Sequence, residues 1–224
     1  WLVLTKRPQN IVKMLPDPRM GTPEWGDGWP NVWLGTTVEN QDEANRRIPH
    51  LLAVPAAKRF LSCEPLLGPV NLREVNRHIK SVDQGQEAWT DALTGTTTLW
   101  EAHRSGGWSG IAPGKIDLII AGGESGAHAR PMHPDWARDL RDQCQAARVP
   151  FFFKQWGEWT PGENGNRMKG TVQVAWYEEK WTFGTENLAS TDGHCDDQPD
   201  LYRVGKKIAG AMLDGREWRE FPHA

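Results

Sequence analysis

The sequence predicts an α/β fold, the C-terminal part of a (β/α) TIM-like barrel with a hairpin-containing insertion and a Trp/Gly-rich C-terminal extension. Three observations predict it. Short apolar runs recur along the chain, amphipathic helical segments lie between them, and each run ends in a polar cluster just before a turn. Continuous rather than alternating hydrophobicity marks strands of a parallel sheet covered on both faces.

Taken in order, the first run is Leu2-Val3-Leu4. A strand-like run at the first residue, headed by Trp1 rather than Met, leads us to expect sequence upstream. The second run, Val32-Trp33-Leu34, is followed by Gln41 to Val54. That segment sets Ala44, Ile48, Leu51 and Leu52 on one side of a helix, with Asp42, Glu43, Arg46 and Arg47 on the other. Arg59-Phe60-Leu61 is the third run, Leu118-Ile119-Ile120 the fourth and Phe151-Phe152-Phe153 the fifth. Between the last two, Pro134 to Ala147 opens with proline in its first turn and spaces Trp136, Leu140, Cys144 and Ala147 helically. Successive runs lie about 30 residues apart, the length of a βαβ unit, except across residues 62–118.

That gap holds an insertion over roughly residues 74–115, whose centre, Ala88 to Trp100, reads as a hairpin turning near Thr94-Gly95. Residues 1–159 therefore form the partial barrel and residues 160–224 an extension. The extension is expected to hold a second hairpin around 170–184, a loop over 185–200, and a short helix over 202–213 stopped by Gly215.

Composition narrows the function classes. With 38% hydrophobic and 25% charged residues among 224, the chain can bury one sizeable core. A net charge of −3 gives no general electrostatic footprint for nucleic acid. Three dispersed cysteines, Cys63, Cys144 and Cys195, suggest a reducing compartment, so the cytoplasm is expected. Nothing in the chain reads as a membrane span. The 13 tryptophans are read first as large rings that pin long loops to the core, and alternatively as a stacking surface.

Chemistry is expected where the runs end. The clusters are Thr5-Lys6-Arg7, Thr36-Thr37-Val38-Glu39, Ser62-Cys63-Glu64, Gly122-Gly123-Glu124-Ser125 and Lys154-Gln155-Trp156. In a barrel they converge on the C-terminal mouth, where ligands bind. Lys6, Glu39, Glu64 and Lys154 are the candidate catalytic residues. Arg7, Gln155 and Trp156 are candidates for substrate contact, and Thr36, Thr37, Gly122, Gly123, Glu124 and Ser125 for a cofactor. The glycines let backbone approach a ligand and present amides to an anion. Either lysine, desolvated, suits a Schiff base. Cys63 beside Glu64 makes a poor nucleophile. His194-Cys195-Asp196-Asp197 lacks the spaced pairs that zinc needs, so no metal site is expected. His128 and His133 read as ordinary loop histidines or acid–base groups.

The motifs LTKRP (4–8), VWLGTTVEN (32–40), RFLSCEPLLGPV (59–70), DLIIAGGESGAHARPM (117–132), PFFFKQWGEW (150–159) and LDGREW (213–218) together resemble the phage gp-thirty-seven/gp-sixty-eight family of uncharacterised phage and bacterial proteins. That family in turn resembles radical S-adenosylmethionine barrels of the spore photoproduct lyase type, where a strand ending in Thr-Lys precedes one ending in Thr-Thr, as Thr5-Lys6 and Thr36-Thr37 do here. The resemblance implies S-adenosylmethionine on a four-iron four-sulfur cluster held by three close cysteines, a nucleic-acid or nucleotide substrate and a bacterial host cell. This chain has no such triad and is expected to bind no cluster itself. The alternatives are a non-catalytic binding barrel that uses the tryptophan loops, Trp100 among them, and a lysine-dependent aldolase-type barrel.

Overall fold

A computed structural model describes residues 1–76, 86–101, 108–111, 114–164, 170–188 and 200–222. In chain order the elements begin with β1 (Leu2–Thr5), α1 (Ile11–Met14), β2 (Trp33–Thr37), α2 (Gln41–Leu52) and β3 (Lys58–Cys63). Next come β4 (Val75–Asn76), β5 (Gln86–Asp91), β6 (Thr96–Glu101), β7 (Trp108–Ile111), β8 (Leu118–Gly122), α3 (Pro134–Ala147) and β9 (Phe151–Gln155). The chain continues with β10 (Trp159–Thr160), β11 (Thr171–Glu178), β12 (Lys180–Asn187), β13 (Leu201–Arg203), α4 (Lys206–Ala209), β14 (Met212–Leu213) and β15 (Arg216–Glu217).

All five apolar runs enter one parallel sheet in the order β1-β2-β3-β8-β9. That order never reverses. Because crossovers between parallel strands are right-handed, a monotonic order stacks the connecting helices on one face, as in a barrel wall and unlike a doubly wound sheet. The helix-side core holds Leu34, Leu61, Cys63, Ile119, Ala121, Phe151 and Phe153 with Ala44, Ile48 and Leu51 of α2 and Leu140 of α3. Residues one step along each strand point to the opposite face. There the Phe60 ring occupies the space over Gly35, where a Cβ would come within 2.4 Å of it. Burying each such large apolar side chain contributes about 1.5–3 kcal/mol.

The two long helices begin at side-chain caps. Asn40 accepts from the Glu43 amide at 3.0 Å to open α2, and His133 caps α3 ahead of Pro134 while Arg148 closes it in the left-handed region. Arg47 corrects the amphipathic reading. It falls between Ala44 and Leu51 on the buried side of α2 and is only 6% exposed.

The two sheet edges differ. Tail residues 218–220 run antiparallel along β9, with the Phe153 amide donating to the Trp218 carbonyl at 3.0 Å and an isolated bridge between Phe152 and Arg219. The β1 edge has no such cover among the described residues, and Leu2, Val3 and Leu4 stay 53%, 49% and 49% exposed. The described strands therefore form an open five-stranded parallel wall.

The insertion folds as an antiparallel sheet, β4-β5-β6-β7, with Asp91 paired to Thr96 around the expected Thr94-Gly95 turn. The extension builds a second one, β10-β13-β11-β12. The helix expected over 202–213 is corrected: residues 201–203 are strand β13, α4 spans only Lys206–Ala209, and Asp214 and Gly215, both at positive φ, turn the β14–β15 hairpin. No described helix is long and apolar enough to cross a membrane.

Candidate functional site

The strand-end residues gather along the carboxyl edge of the parallel sheet in two hydrogen-bonded groups. The first centres on Glu39, just beyond β2, whose side chain is 10% exposed. Its carboxylate accepts from the Lys6 ammonium, at the end of β1, and from Arg47 of α2 at 2.6 Å. Arg47 also donates to the Thr37 carbonyl at 2.8 Å and pairs with Glu43 at 2.6 Å, and Glu43 holds Arg46. Burial pushes the Glu39 carboxyl up, but Lys6 and Arg47 outweigh it and hold the group below its ordinary value.

The second group centres on Glu64, just past β3. Lys154 at the end of β9 donates to it at 2.9 Å, and the Gln155 amide lies 3.3 Å from Glu64 and 3.1 Å from the Ser125 hydroxyl. The ends of β3 and β9 thus meet at one carboxylate, and Gln155 ties in the loop after β8. Loop backbones join the two groups: the Val38 amide donates to the Ser62 carbonyl at 2.9 Å and the Leu67 amide to the Glu39 carbonyl at 2.7 Å.

Other expected site residues have structural partners. The buried Thr36 hydroxyl donates to the Thr5 carbonyl at 2.8 Å, tying β2 to β1. Gly123 needs its missing side chain, since a Cβ there would lie 1.9 Å from the Trp156 carbonyl oxygen; a Cβ on Gly157 would lie 2.0 Å from that of Glu124. The close approach that the glycines permit is therefore between the β8 and β9 loops, stitched by Gly123 N–H to Gln155 O and Glu158 N–H to Glu124 O at 2.9 Å each. Gly122 lies 3.2 Å, at its would-be Cβ, from the Gln155 carbonyl. Glu124 takes both oxygens to Arg130, whose hydrogen bonds hold its carboxyl low despite partial burial.

Trp156 is buried, packs on Phe153 and donates to the Met212 carbonyl at 2.7 Å. It shares this habit with Trp25, Trp29, Trp159 and Trp218, whose indole N–H groups all donate to backbone carbonyls. The side chain of Trp100 and residues 194–197 lie outside what the structure describes. His133 caps α3 and packs against Trp136, Tyr177 and Trp181.

Sequence reasoning missed Arg46, Arg47 and His50. Together with Lys6, Arg7 and Gln9 they line a cavity of about 400 Å³ beside the first group. The signal was available: an arginine inside the apolar stripe of α2 is a charge that folding has to neutralise.

Cys63 and Cys144 are buried within the helix-side core. Burial first, then the charge of Glu39, pushes the Cys63 thiol up to about 12, and burial raises Cys144. No described group of three or more His, Cys, Asp or Glu side chains is arranged to hold a metal ion.

Residues 1–222 match a family model described as "Protein of unknown function (DUF5131)", and the chain belongs to that family. No curated protein and no solved structure matches it.

Proposed function

Starting from that membership, we propose that the carboxyl edge of the five-stranded sheet is the ligand-binding mouth of an enzyme. We further propose that the intact protein is a radical S-adenosylmethionine type enzyme acting on a nucleic-acid or nucleotide substrate. The observation that carries the mouth is Glu39, a carboxylate withdrawn from water at a strand end and held by cations from a second strand and a helix. Desolvating a charge costs several kcal/mol, and structural needs at a loop are met more simply by neutral groups. Preorganised charges at the carboxyl ends of parallel strands are where α/β proteins bind ligands.

Within that mouth Lys154 and Glu64 form an ammonium–carboxylate pair with the lysine half exposed. A substrate oxygen or nitrogen that displaces one partner meets a proton donor or an acceptor, and Gln155 and Ser125 orient it. Lys6 offers the same chemistry above Glu39.

The reaction class rests on the resemblance of the strand-end motifs and is supported by the monotonic strand order, which a barrel wall shares. The implied cluster supplies one-electron chemistry when bound. Neither described cysteine fits it, because iron–sulfur ligands are thiolates and both thiols are buried and raised. Assaying the intact gene product, purified without oxygen, for iron, sulfide and S-adenosylmethionine cleavage tests the class. Bound iron with sulfide is expected; their absence leaves a non-catalytic binding barrel.

A further inference from the structure

We propose that the cavity between the carboxyl end of β1 and helix α2 is a phosphate-binding pocket, which makes the ligand of the mouth a phosphate-bearing molecule. The inference rests on the reading of the mouth and gives it a substrate class.

Its lining is one-sided. Lys6, Arg7, Arg46 and Arg47 bring four cations, Gln9 and His50 bring further donors, and no carboxylate faces the cavity. Glu39 and Glu43, the two carboxylates bonded to this group, neutralise two of the four charges. Arg7 and His50 have no side-chain hydrogen bond or ion pair among the described residues. A surplus of two positive charges in one cavity runs against the net charge of −3 for the chain, so it is a local construction rather than a basic surface.

The division of labour among the cations points the same way: buried Arg47 is held by Glu39, Glu43 and the Thr37 carbonyl, while Arg7 and Arg46 stay exposed at the cavity, and arginine is the side chain whose planar fork suits phosphate oxygens. The donors come from side chains of the second and third turns of α2 and from the strand end, so no helix terminus is invoked. About 400 Å³ exceeds the need of a free phosphate and lies within the range of small-molecule sites, leaving room for the sugar of a nucleotide.

The test titrates the chain with inorganic phosphate, deoxyadenosine monophosphate and a fluorescein-labelled single-stranded oligothymidylate, each at low and moderate salt. Arg7 and Arg46 are exposed, so Arg7→Gln and Arg46→Gln keep the fold. Each is expected to weaken binding about tenfold, the loss of one charge-assisted contact. Lys180→Gln, which removes one charge from the β11–β12 hairpin, is expected to change nothing. Comparable binding of the mononucleotide and the oligomer identifies a small-molecule phosphate. Tighter oligomer binding with a steep salt dependence identifies a nucleic-acid backbone. Failure of all three probes at low salt, or equal losses in Lys180→Gln and Arg7→Gln, overturns the pocket. Mononucleotide binding that is lost in Arg7→Gln but leaves hydrogen exchange around Glu64 and Ser125 unaltered keeps the pocket and removes the wider mouth.

Discussion

Replacing Glu39 by glutamine removes the charge at the centre of the first strand-end group while keeping its shape. The cost follows from its two partners. The Lys6 side chain is 60% exposed, so its share of the pairing is that of a surface ion pair, about 0–1 kcal/mol. The Arg47 side chain is 7% exposed, and stripping a buried partner costs about 3–5 kcal/mol when nothing else remains. Here Glu43 and the Thr37 carbonyl remain, and the glutamine oxygen still accepts, so about 2 kcal/mol is expected. In a chain of this size that lowers Tm by about 4–8 °C. Urea unfolding followed by tryptophan emission measures it. The folded carboxyl sits below its ordinary value, so its stabilisation is complete above about pH 4.3, the unfolded value, and is lost as pH falls through the folded one. The gap between wild type and Glu39→Gln is therefore present at pH 7 and closes in acid. A gap under about 0.5 kcal/mol at pH 7, or one indifferent to acid, refutes the assignment of Glu39 as a buried charged hub.

The loop contact at Gly123 makes Gly123→Ala destabilising by about 1–3 kcal/mol or more, because the obstacle is the Trp156 backbone and not a side chain that can swing away; urea unfolding reads it. Thiol titration of a Cys195→Ser variant with an aromatic disulfide at pH 8 is expected to modify neither Cys63 nor Cys144 in the native protein and both after unfolding. Rapid native labelling of either would contradict their burial. Glu124 and Asp214 are likewise held low, by Arg130 and, against burial, by Arg141 and Arg138, so loss of global stability on acidification is expected to steepen below about pH 4. An acid-insensitive urea midpoint from pH 7 to pH 3 would contradict it.

How much of this was legible in the sequence depended on the range of the interaction. The five strands were legible because buried parallel strands write themselves as apolar runs, and the helices because their apolar residues recur at helical spacing, with Pro134 in the first turn of α3. The turn at Thr94-Gly95 carried its own glycine. The tail was not legible as a helix or a strand: Leu201 to Arg203 becomes strand only by pairing with β11, a contact from distant sequence. Gly205 and Gly210, both at positive φ, confine α4 to one turn. The Asp214-Gly215 pair is a hairpin signal that a helix reading overlooked. At the site, charged residues at strand ends pointed to the carboxyl edge, but their pairing did not. Glu64 meets Lys154 only because β9 lies two strands away in the sheet, and Gly123 answers to Trp156 only once the two loops touch. The cationic cavity was hidden because Arg47 was assigned to the polar side of α2.

Where a phosphate-bearing ligand contacts the protein decides whether the carboxyl edge of the sheet is its binding mouth. Hydrogen–deuterium exchange of the chain with and without saturating deoxyadenosine monophosphate measures that directly. Protection concentrated at residues 5–9, 36–47, 62–67 and 122–126, along the carboxyl ends of β1, β2, β3 and β8, is the predicted result. Protection confined to the β4–β7 sheet or the β11–β12 hairpin, or none at all, would contradict it.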